Sequence, residues 1–565
     1  MTAIAIVILG ETSYITAARI QSALPDSIIY GLQQRTQSAD QTYRDFGETV
    51  RTLFQQGQTI IGICSAGILI RSLAAVLNNK WQEPAVLAIA EDGSSVVPLL
   101  GSLQGANQLA QQLAQVFKSH AAITTTGSIR FQTTLLSPPN GYQLAFPETA
   151  KTFIADLLSG QSVKLEGTAT WLETAKLSLD AQARHCIKVT HQLQQPDPYQ
   201  LTYYSKTVAI FIALKNFSGD SDIAYIIQTQ LTAHQIAPAS IALIGLLVNQ
   251  TQSVDIQTIA TQFSVPIRLV RNSSTQSVSD LAKQLTHAEQ IIAVDSVITI
   301  AIAEQPLDSD AIGQAAGQLS IVGLGPGAAE WLTPQARQAL QQATDWIGYK
   351  TYLNLAEPWR SPRTQRHDSD NRVELDRARH ALDLAATGRK VAVISSGDPG
   401  IYAMAAAVFE VLEKAENPDW QTLDIRICPG ISAMQAAAAQ VGAPLGHDFC
   451  TISLSDILKP WEIIAERITA AAQADFAIAF YNPVSKSRRW QLEKARDLLL
   501  AWRSPQTPVL LARNLGRPQQ SMQVIALADL VADLVDMNTV VLIGSSRTRQ
   551  FEAASRSWIY TPRYY

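Results

Sequence analysis

The stretch Val391–Glu410, VAVISSGDPGIYAMAAAVFE, limits what this chain can fold into more than any other. Small and β-favouring apolar residues stop abruptly at Ser395-Ser396-Gly397-Asp398-Pro399-Gly400, and an alanine-rich segment of helical propensity follows. That order predicts a strand, a tight loop and a helix. In a parallel α/β sheet such a loop lies at the carboxyl end of its strand, beside the crevice where ligands bind. Its glycines let a flat ligand approach the backbone, the Asp398 carboxylate can accept hydrogen bonds, and Pro399 stiffens the turn. Taken alone, the segment fits an ordinary strand-to-helix connection equally well.

The same signature recurs down the chain. Leu319–Val322 reads as a strand running into GLGPG at 323–327, and a helix with Pro334 in its first turn follows over Thr333–Ala343. GLGPG is not a GxGxxG dinucleotide fingerprint, because Pro326 interrupts it and no acidic residue stands at the ribose position. Further strands are expected at Ile425–Cys428, Phe476–Phe480, Val509–Ala512 and Thr539–Ile543, running into PGISA, YNPVS, RNLGR and GSSRT. Loops of this kind along one sheet edge build a cleft, here expected between two subdomains.

At 565 residues the chain exceeds a single core, and about 100 to 200 residues per domain suggests three to five units. Residues 1–120 alternate strands (Ile4–Leu9, Thr59–Ile63, Val86–Ile89) with helices (Thr16–Ala23, Ala106–Phe117), predicting a small α/β domain. Residues 121–205 hold weaker elements and read as a bridging region. A second α/β domain is expected over 206–303, with strands at Val208–Ala213, Ile241–Val248, Ile267–Val270 and Ile298–Ala303. The polar, small-residue stretch 304–317 reads as a linker, and 318–565 as an independent domain.

Hydrophobic content of 47% with 16% charged residues describes ordinary globular domains. A net charge of −4 gives no reason to expect nucleic acid or an anionic membrane as partner, so a small molecule is expected. Cys64, Cys186, Cys428 and Cys450 form no CxxC pair, which indicates neither a disulfide framework nor a metal site, and implies reduced, cytoplasmic thiols. Ala3–Leu9 lacks a basic flank and a cleavage site and reads as a first strand rather than a signal peptide. The longest apolar run, Thr59–Ile70, is broken by Gly62, Ser65 and Gly67 and falls short of the roughly 18 residues a membrane span needs.

The order GLGPG, SSGDPG, PGISA, YNP resembles the tetrapyrrole methylases, two-subdomain α/β enzymes that take a methyl group from S-adenosylmethionine. Within that family GAPLGHDFCTISLSDILKPWE (from Gly442), ADFAIAFYNPVSK (from Ala474) and Thr561-Pro562-Arg563 resemble the precorrin-3B C-17 methyltransferase branch. The resemblance implies methylation at C-17 of a precorrin-3B or cobalt-factor III ring, coupled to ring contraction, in cobalamin synthesis. It places the cofactor against Pro326, Ser396, Gly397, Asp398, Ile401, Ser432, Ala433, Asn482 and Ala526, mostly through main-chain groups. Methyl transfer from a sulfonium to an electron-rich carbon needs chiefly in-line positioning, so the lack of a nucleophile or metal motif is no objection. Ring contraction moves protons, and His447 and Asp448 in LGHDF are the candidates for that work, with Asp456 and Lys459 second. A packing role fits His447 as well, and Asp456 reads also as an N-cap for the following helix. A polycarboxylate substrate calls for cations, and Arg360, Arg363, Arg366, Arg372, Lys486, Arg488 and Arg489 are available, although a solvated loop accounts for any one of them. The family's usual methionine three residues before Glu374 is here Asn371, and Tyr564 replaces a usual glycine. A homodimer would be ordinary for the family, and a cobalt-bearing and a metal-free substrate both fit it.

In the N-terminal half GICSAGILIR (62–71), KWQEPAV (80–86) and GSLQGAN (101–107) resemble the cobalt-precorrin-5A hydrolases, which open a lactone and release acetaldehyde. The family's Gly-His-x-Gly-Gly-Ala-Asn carries Ser102 in place of histidine and Gln104 in place of glycine, and its C-terminal charged positions are not recognisable around 246–260. Loss of the proton-transfer residue argues for a retained binding or docking role over hydrolysis. A bifunctional enzyme, with Asn107 essential to the hydrolysis, and a corrinoid-binding or channelling protein are the competing expectations.

Overall fold

A computed structural model describes residues 4–564 except 26, 214–222, 248–261, 272–276, 295–296, 362, 371–372, 415, 487 and 555. Positions 371 and 372 and the stretch 248–260, singled out above, therefore lie outside the described residues. The chain divides into two compact units, Met1–Ala315 and Ala316–Tyr565.

Among the described residues the first unit is built on three sheets. The strand Ile4–Ile8 lies parallel to Ser27–Leu32 on one side and to Thr59–Ile63 on the other, with Gln41–Tyr43 beyond the first and Val86–Ile89 beyond the second. Ser95–Leu100 then runs antiparallel to Val86–Ile89 and carries a short parallel strand, His120–Ala121, at the edge. Unbroken apolar runs such as Ile60-Ile61 and Val86-Leu87 belong to strands covered on both faces, and all four residues are fully buried.

The expected bridging region 121–205 has a sheet and core of its own. Tyr142–Leu144, Gln200–Ser205, His185–Thr190 and Val163–Glu166 form a four-stranded sheet, whose Tyr203 shares a core with Phe153 and Leu172 from the helices. Its strands are short and interrupted by turns, so little periodicity reaches the sequence. The third sheet runs Gln290–Ala293, Ile298–Ile302, Val208–Ala213, Ile241–Leu247, Ile267–Val270, Gln314–Ala315, with its middle three strands parallel. The stretch read as a linker supplies that last strand, and the buried Arg268 guanidinium donates to the Ile312 and Gly313 carbonyls.

Among its described residues the second unit holds two five-stranded sheets and a small three-stranded one. The first sheet is entirely parallel, in the order Gln365–Ser369, Asp345–Tyr349, Lys390–Ser395, Gln318–Gly323, Asp424–Cys428. The second runs Phe449–Ser453, Ala477–Tyr481, Thr539–Ile543, Pro508–Arg513, Ser521–Ala526 and is mixed. Thr539–Ile543 is antiparallel to both its neighbours, and Ser521–Ala526 is antiparallel to Pro508–Arg513. No helix among the described residues is long and apolar enough to cross a membrane.

Candidate functional site

Three of the glycine loops named from sequence leave adjacent strands of the parallel sheet. SSGDPG follows Lys390–Ser395, GLGPG follows Gln318–Gly323, and PGISA follows Asp424–Cys428, so the three stand side by side at one edge. They interlock through backbone. Gly325 and Gly397 exchange amide-to-carbonyl hydrogen bonds of 3.1 and 2.8 Å, and the Leu324 amide donates to the Ser395 carbonyl at 2.9 Å. A Cβ on Gly323 would stand 2.5 Å from the Gly397 oxygen, and one on Gly430 would stand 2.2 Å from it. Both positions admit glycine alone because backbone, not a movable side chain, fills the space.

Gly397 differs. Its φ is +67°, the left-handed region where glycine is at ease, and a Cβ there would meet only the Ser432 Cα at 3.9 Å. The loop therefore leaves open room above Gly397. Asp398 does not face outward to a hydroxyl, as its position in the motif suggested. One carboxylate oxygen accepts the Gly400 amide at 2.8 Å and the other the Gly430 amide at 3.2 Å, tying two loops together. Ile401 closes the turn, its amide donating to the Asp398 carbonyl at 3.2 Å.

PGISA opens the helix Ala433–Val441, for which Ser432 is the N-cap in a reciprocal capping box with Gln435. Ala433 is the first helical residue, and the Met434 amide donates to the Tyr481 hydroxyl at 3.1 Å. Tyr481 ends the Ala477–Tyr481 strand, so this bond joins the first sheet's loops to the carboxyl edge of the second. Burial raises the Tyr481 phenol above its ordinary pKa, keeping it protonated. Tyr402 makes a second link: its ring lies 5.3 Å from that of Tyr481, and its hydroxyl donates to the Thr451 carbonyl at 2.9 Å. Arg517, in the loop after Pro508–Arg513, makes a third, donating from Nε to the Pro326 carbonyl at 2.6 Å and from Nη2 to the Ser396 hydroxyl at 2.9 Å. None of these three linking side chains was singled out from sequence, although GIY, YNP and RNLGR each contain one; what marks them is contact across the cleft.

Strand direction divides the remaining candidates. Ala477–Tyr481 and Phe449–Ser453 are parallel, so Asn482 and the segment after Ser453 share the cleft edge, and the Asn482 amide donates to the Ser453 hydroxyl at 3.1 Å. Asp456 and Lys459 follow on that edge. Asp456 accepts from Gln491 Nε2 at 2.9 Å and lies 3.7 Å from Arg488 Nε. It does not cap the next helix, whose N-cap is Pro460. Burial and the nearby Arg467 lower the pKa of the Lys459 ammonium.

His447 and Asp448, first choices from sequence, precede Phe449 and stand at the opposite edge, where the Asp448 carbonyl accepts the Ala477 amide at 3.1 Å. Their side chains pair with each other at 3.7 Å. GSSRT also lies there, because its strand is antiparallel, and Ser546 binds Asp475 with its amide and hydroxyl. Ala526 pairs with Pro508 at the start of a six-residue strand, about 17 Å along the sheet from the cleft edge that Arg513 marks. The structure thus brings Pro326, Ser396, Gly397, Asp398, Ile401, Ser432, Ala433 and Asn482 together and leaves Ala526, His447 and Asp448 apart.

Most cations expected for a polycarboxylate are already engaged. Arg360 pairs with Glu357, and Arg366 with Glu357 and Asp368. Arg489 pairs with Asp533. Arg488 is buried and donates to the Leu454 and Asn482 carbonyls, pinning the two loops that flank Asp456. Lys486 is exposed.

In the first unit a cavity of about 450 Å³ opens at the carboxyl ends of Ile4–Ile8, Thr59–Ile63 and Val86–Ile89. It is lined by Thr12, Ser13, Cys64, Ser65 and Glu91 among others, at the point where the strand order reverses. GSLQGAN is not beside it. The antiparallel Ser95–Leu100 strand carries that loop to the other edge, where Gln104 Nε2 donates to the Trp81 carbonyl at 2.9 Å. Asn107 is buried, its amide directed to the Thr125 and Ser128 hydroxyls.

Known proteins match both units. The model of the tetrapyrrole (corrin/porphyrin) methylases matches residues 318–531, and that of the cobalamin synthesis G N-terminal family matches 48–128. Cobalamin biosynthesis protein CobIJ of Mycobacterium tuberculosis is 49% identical over 253 residues, 44% of this chain and 48% of that protein, so the chain spans about half the length of that relative. A solved structure of the methyltransferase CobJ is 49% identical, covering 44% of this chain and 100% of that one, with a TM-score of 0.41. The precorrin-3B C(17)-methyltransferase of Sinorhizobium sp is 48% identical over 250 residues, 44% of this chain and 97% of that protein. With nearly the whole of that relative covered, and with its glycine loops meeting at one edge, the chain belongs to the tetrapyrrole (corrin/porphyrin) methylases.

Proposed function

We propose that the second unit is an S-adenosylmethionine-dependent methyltransferase acting at C-17 of a precorrin-3B or cobalt-factor III ring, a step of cobalamin synthesis. The single observation that carries the reading is the junction of SSGDPG, GLGPG and PGISA, where Gly323 and Gly430 leave no room for a Cβ while Gly397 leaves a cradle a Cβ would fill. The residues present fit the cofactor: a Cβ on Gly397 would meet only the Ser432 Cα, so the room is open to a ligand, and we assign the main-chain groups of Pro326, Ser396, Gly397, Ile401, Ser432, Ala433 and Asn482 to it, because a nucleoside held by backbone needs close approach more than side-chain charge. When bound, the sulfonium supplies an activated methyl group. The chain's own work is to hold donor and acceptor in line and exclude water. Asp456 and Lys459, on the cleft edge, are the residues we assign to proton transfer. Lys459, with its pKa lowered by burial, gives up a proton more readily than a solvated lysine. The relative of 48% identity, itself a precorrin-3B C(17)-methyltransferase, supports the substrate class.

Calorimetric titration of the full chain with S-adenosylhomocysteine tests the cofactor, and mass spectrometry of products from cobalt-loaded and metal-free precorrin-3 substrates tests the rest. No cofactor binding, or no mass gain of one methyl group, overturns the reading.

For the first unit we infer a ligand-binding role without lactone hydrolysis. Ser102 stands at the histidine position of the resembled family, and its loop lies at the sheet edge away from the cavity. Asn107 holds neighbouring hydroxyls, so its loss would disturb packing before chemistry. Release of acetaldehyde from a cobalt-precorrin-5A lactone by the full chain would overturn this.

A further inference from the structure

Among the described residues the cleft of the second unit contains a part-buried cation that has no anion. Arg517 reaches from the loop between Pro508–Arg513 and Ser521–Ala526, and both of its acceptors, the Pro326 carbonyl and the Ser396 hydroxyl, are neutral. Its Nη1 makes no hydrogen bond to the described residues and is not enclosed by protein. Three other arginines of the second unit are matched by carboxylates, Arg513 with Asp536 at 2.7 Å, Arg489 with Asp533 and Arg488 with Asp456 at 3.7 Å, whereas Arg377, which also faces Tyr352, spends its donors on Ser369, Met404 and the Asp370 carbonyl. Asp398, the carboxylate of the adjoining loop, already has both oxygens on amides. The titratable group that does face Arg517 is the Tyr352 phenol, which is protonated at neutral pH.

The placement is held tightly. A Cβ on Gly327 would stand 2.3 Å from Arg517 Cγ, and one on Gly516 would stand 2.5 Å from the Ala328 amide nitrogen, so two glycines let the arginine stem lie against the GLGPG loop. Taking a guanidinium out of water without a partner is costly, whereas a plain cross-link between a carbonyl and a hydroxyl needs only a neutral donor. A rigid fork with one arm bound and the other open matches a carboxylate.

We propose that Arg517 binds a carboxylate of the ligand that enters this cleft, through the guanidinium edge left open by Pro326 and Ser396. The proposal rests on the methyltransferase reading above. Two sources satisfy the chemistry: the amino-acid carboxylate of S-adenosylmethionine and the carboxylated side chains of the tetrapyrrole.

Three probes separate them in calorimetric and fluorescence titrations of the full chain and of Arg517→Gln and Arg517→Lys. S-adenosylhomocysteine carries the carboxylate, 5′-methylthioadenosine has the nucleoside and sulfur without it, and uroporphyrin III is a polycarboxylate tetrapyrrole. The expected result is that Arg517→Gln weakens S-adenosylhomocysteine about ten- to hundredfold, leaves methylthioadenosine within about twofold, and is partly rescued by Arg517→Lys. Unchanged nucleosides with weakened uroporphyrin binding would support the proposal and assign the carboxylate to the substrate. Parallel weakening of both nucleosides, meaning a loop that has merely come loose, or no change with any probe, would overturn it. Should Arg517→Gln fail to fold, the same comparison on Arg517→Lys decides. A parent chain that does not bind S-adenosylhomocysteine would instead remove the cofactor reading, and this proposal with it.

Discussion

Replacing Gly397 by alanine separates the two demands that meet in SSGDPG. At φ +67° an L-residue costs about 1–2 kcal/mol. Part of this is offset by about 0.4–1 kcal/mol from the reduced freedom of the unfolded chain. The net loss is therefore about 0–1.6 kcal/mol, because the new Cβ meets nothing closer than the Ser432 Cα at 3.9 Å. For a unit the size of Ala316–Tyr565 that lowers the melting temperature by at most about 6 °C. Ligand binding should suffer far more. The methyl group fills the cradle, and overpacking of about 1–3 kcal/mol corresponds to roughly five- to 150-fold weaker S-adenosylhomocysteine. Gly430→Ala is the control. Its Cβ would be driven 2.2 Å from the Gly397 carbonyl oxygen, so its main cost falls on stability, about 3 kcal/mol or more, a fall of about 6–12 °C. Thermal melting and calorimetry on the two variants read both quantities. If Gly397→Ala binds S-adenosylhomocysteine within twofold of the parent, the room above Gly397 is not the ligand cradle.

Three further outcomes are expected. Asp345, with no exposed side-chain surface, accepts from His367 at 2.9 Å, Arg389 at 2.7 Å and Thr344 at 2.7 Å; Asp345→Ala should destabilise the second unit by about 3–5 kcal/mol in a denaturant titration, and a loss under 1 kcal/mol would contradict its bridging role. Tyr402→Phe removes the hydroxyl that reaches the Thr451 carbonyl and should cost about 0.5–1.5 kcal/mol, while weakening cofactor binding if that link holds the cleft together. Burial raises the Cys64 and Cys186 thiols to about 11 and the Cys428 and Cys450 thiols in the same direction, so the native chain should react slowly with a disulfide reagent at pH 7.5 and release four thiols on unfolding. The sign of the linked stability follows: between the ordinary thiol pKa near 9 and about 11 the unfolded chain binds fewer protons than the native one, so stability falls as pH rises through that window. A chain equally stable at pH 8 and pH 10.5 would refute that assignment.

Several strands of the second unit, and the chemistry of the loops that follow them, were legible in the amino-acid order alone. Apolar runs ending at glycine-bearing loops marked Gln318–Gly323, Lys390–Ser395 and Asp424–Cys428 within a residue or two. Family order in GLGPG, SSGDPG, PGISA and YNP was legible for the same reason, since each motif is contiguous. Strand direction and hydrogen-bond partnership came from the folded chain alone. Nothing in Thr539–Ile543 says that it runs antiparallel, yet that one reversal takes GSSRT to the far edge. His447 and Asp448 precede their strand, whereas Asp456 and Lys459 follow it, and parallel pairing with Ala477–Tyr481 then fixes which of the two pairs reaches the cleft. Asp398 reads as a ligand group until the Gly400 and Gly430 amides are seen to take both its oxygens, and Arg517 reads as a loop cation until it is found without a carboxylate. Hydrogen-bond partners remote in sequence carry no local signature, because they are selected by how the strands pair and not by the residues beside them.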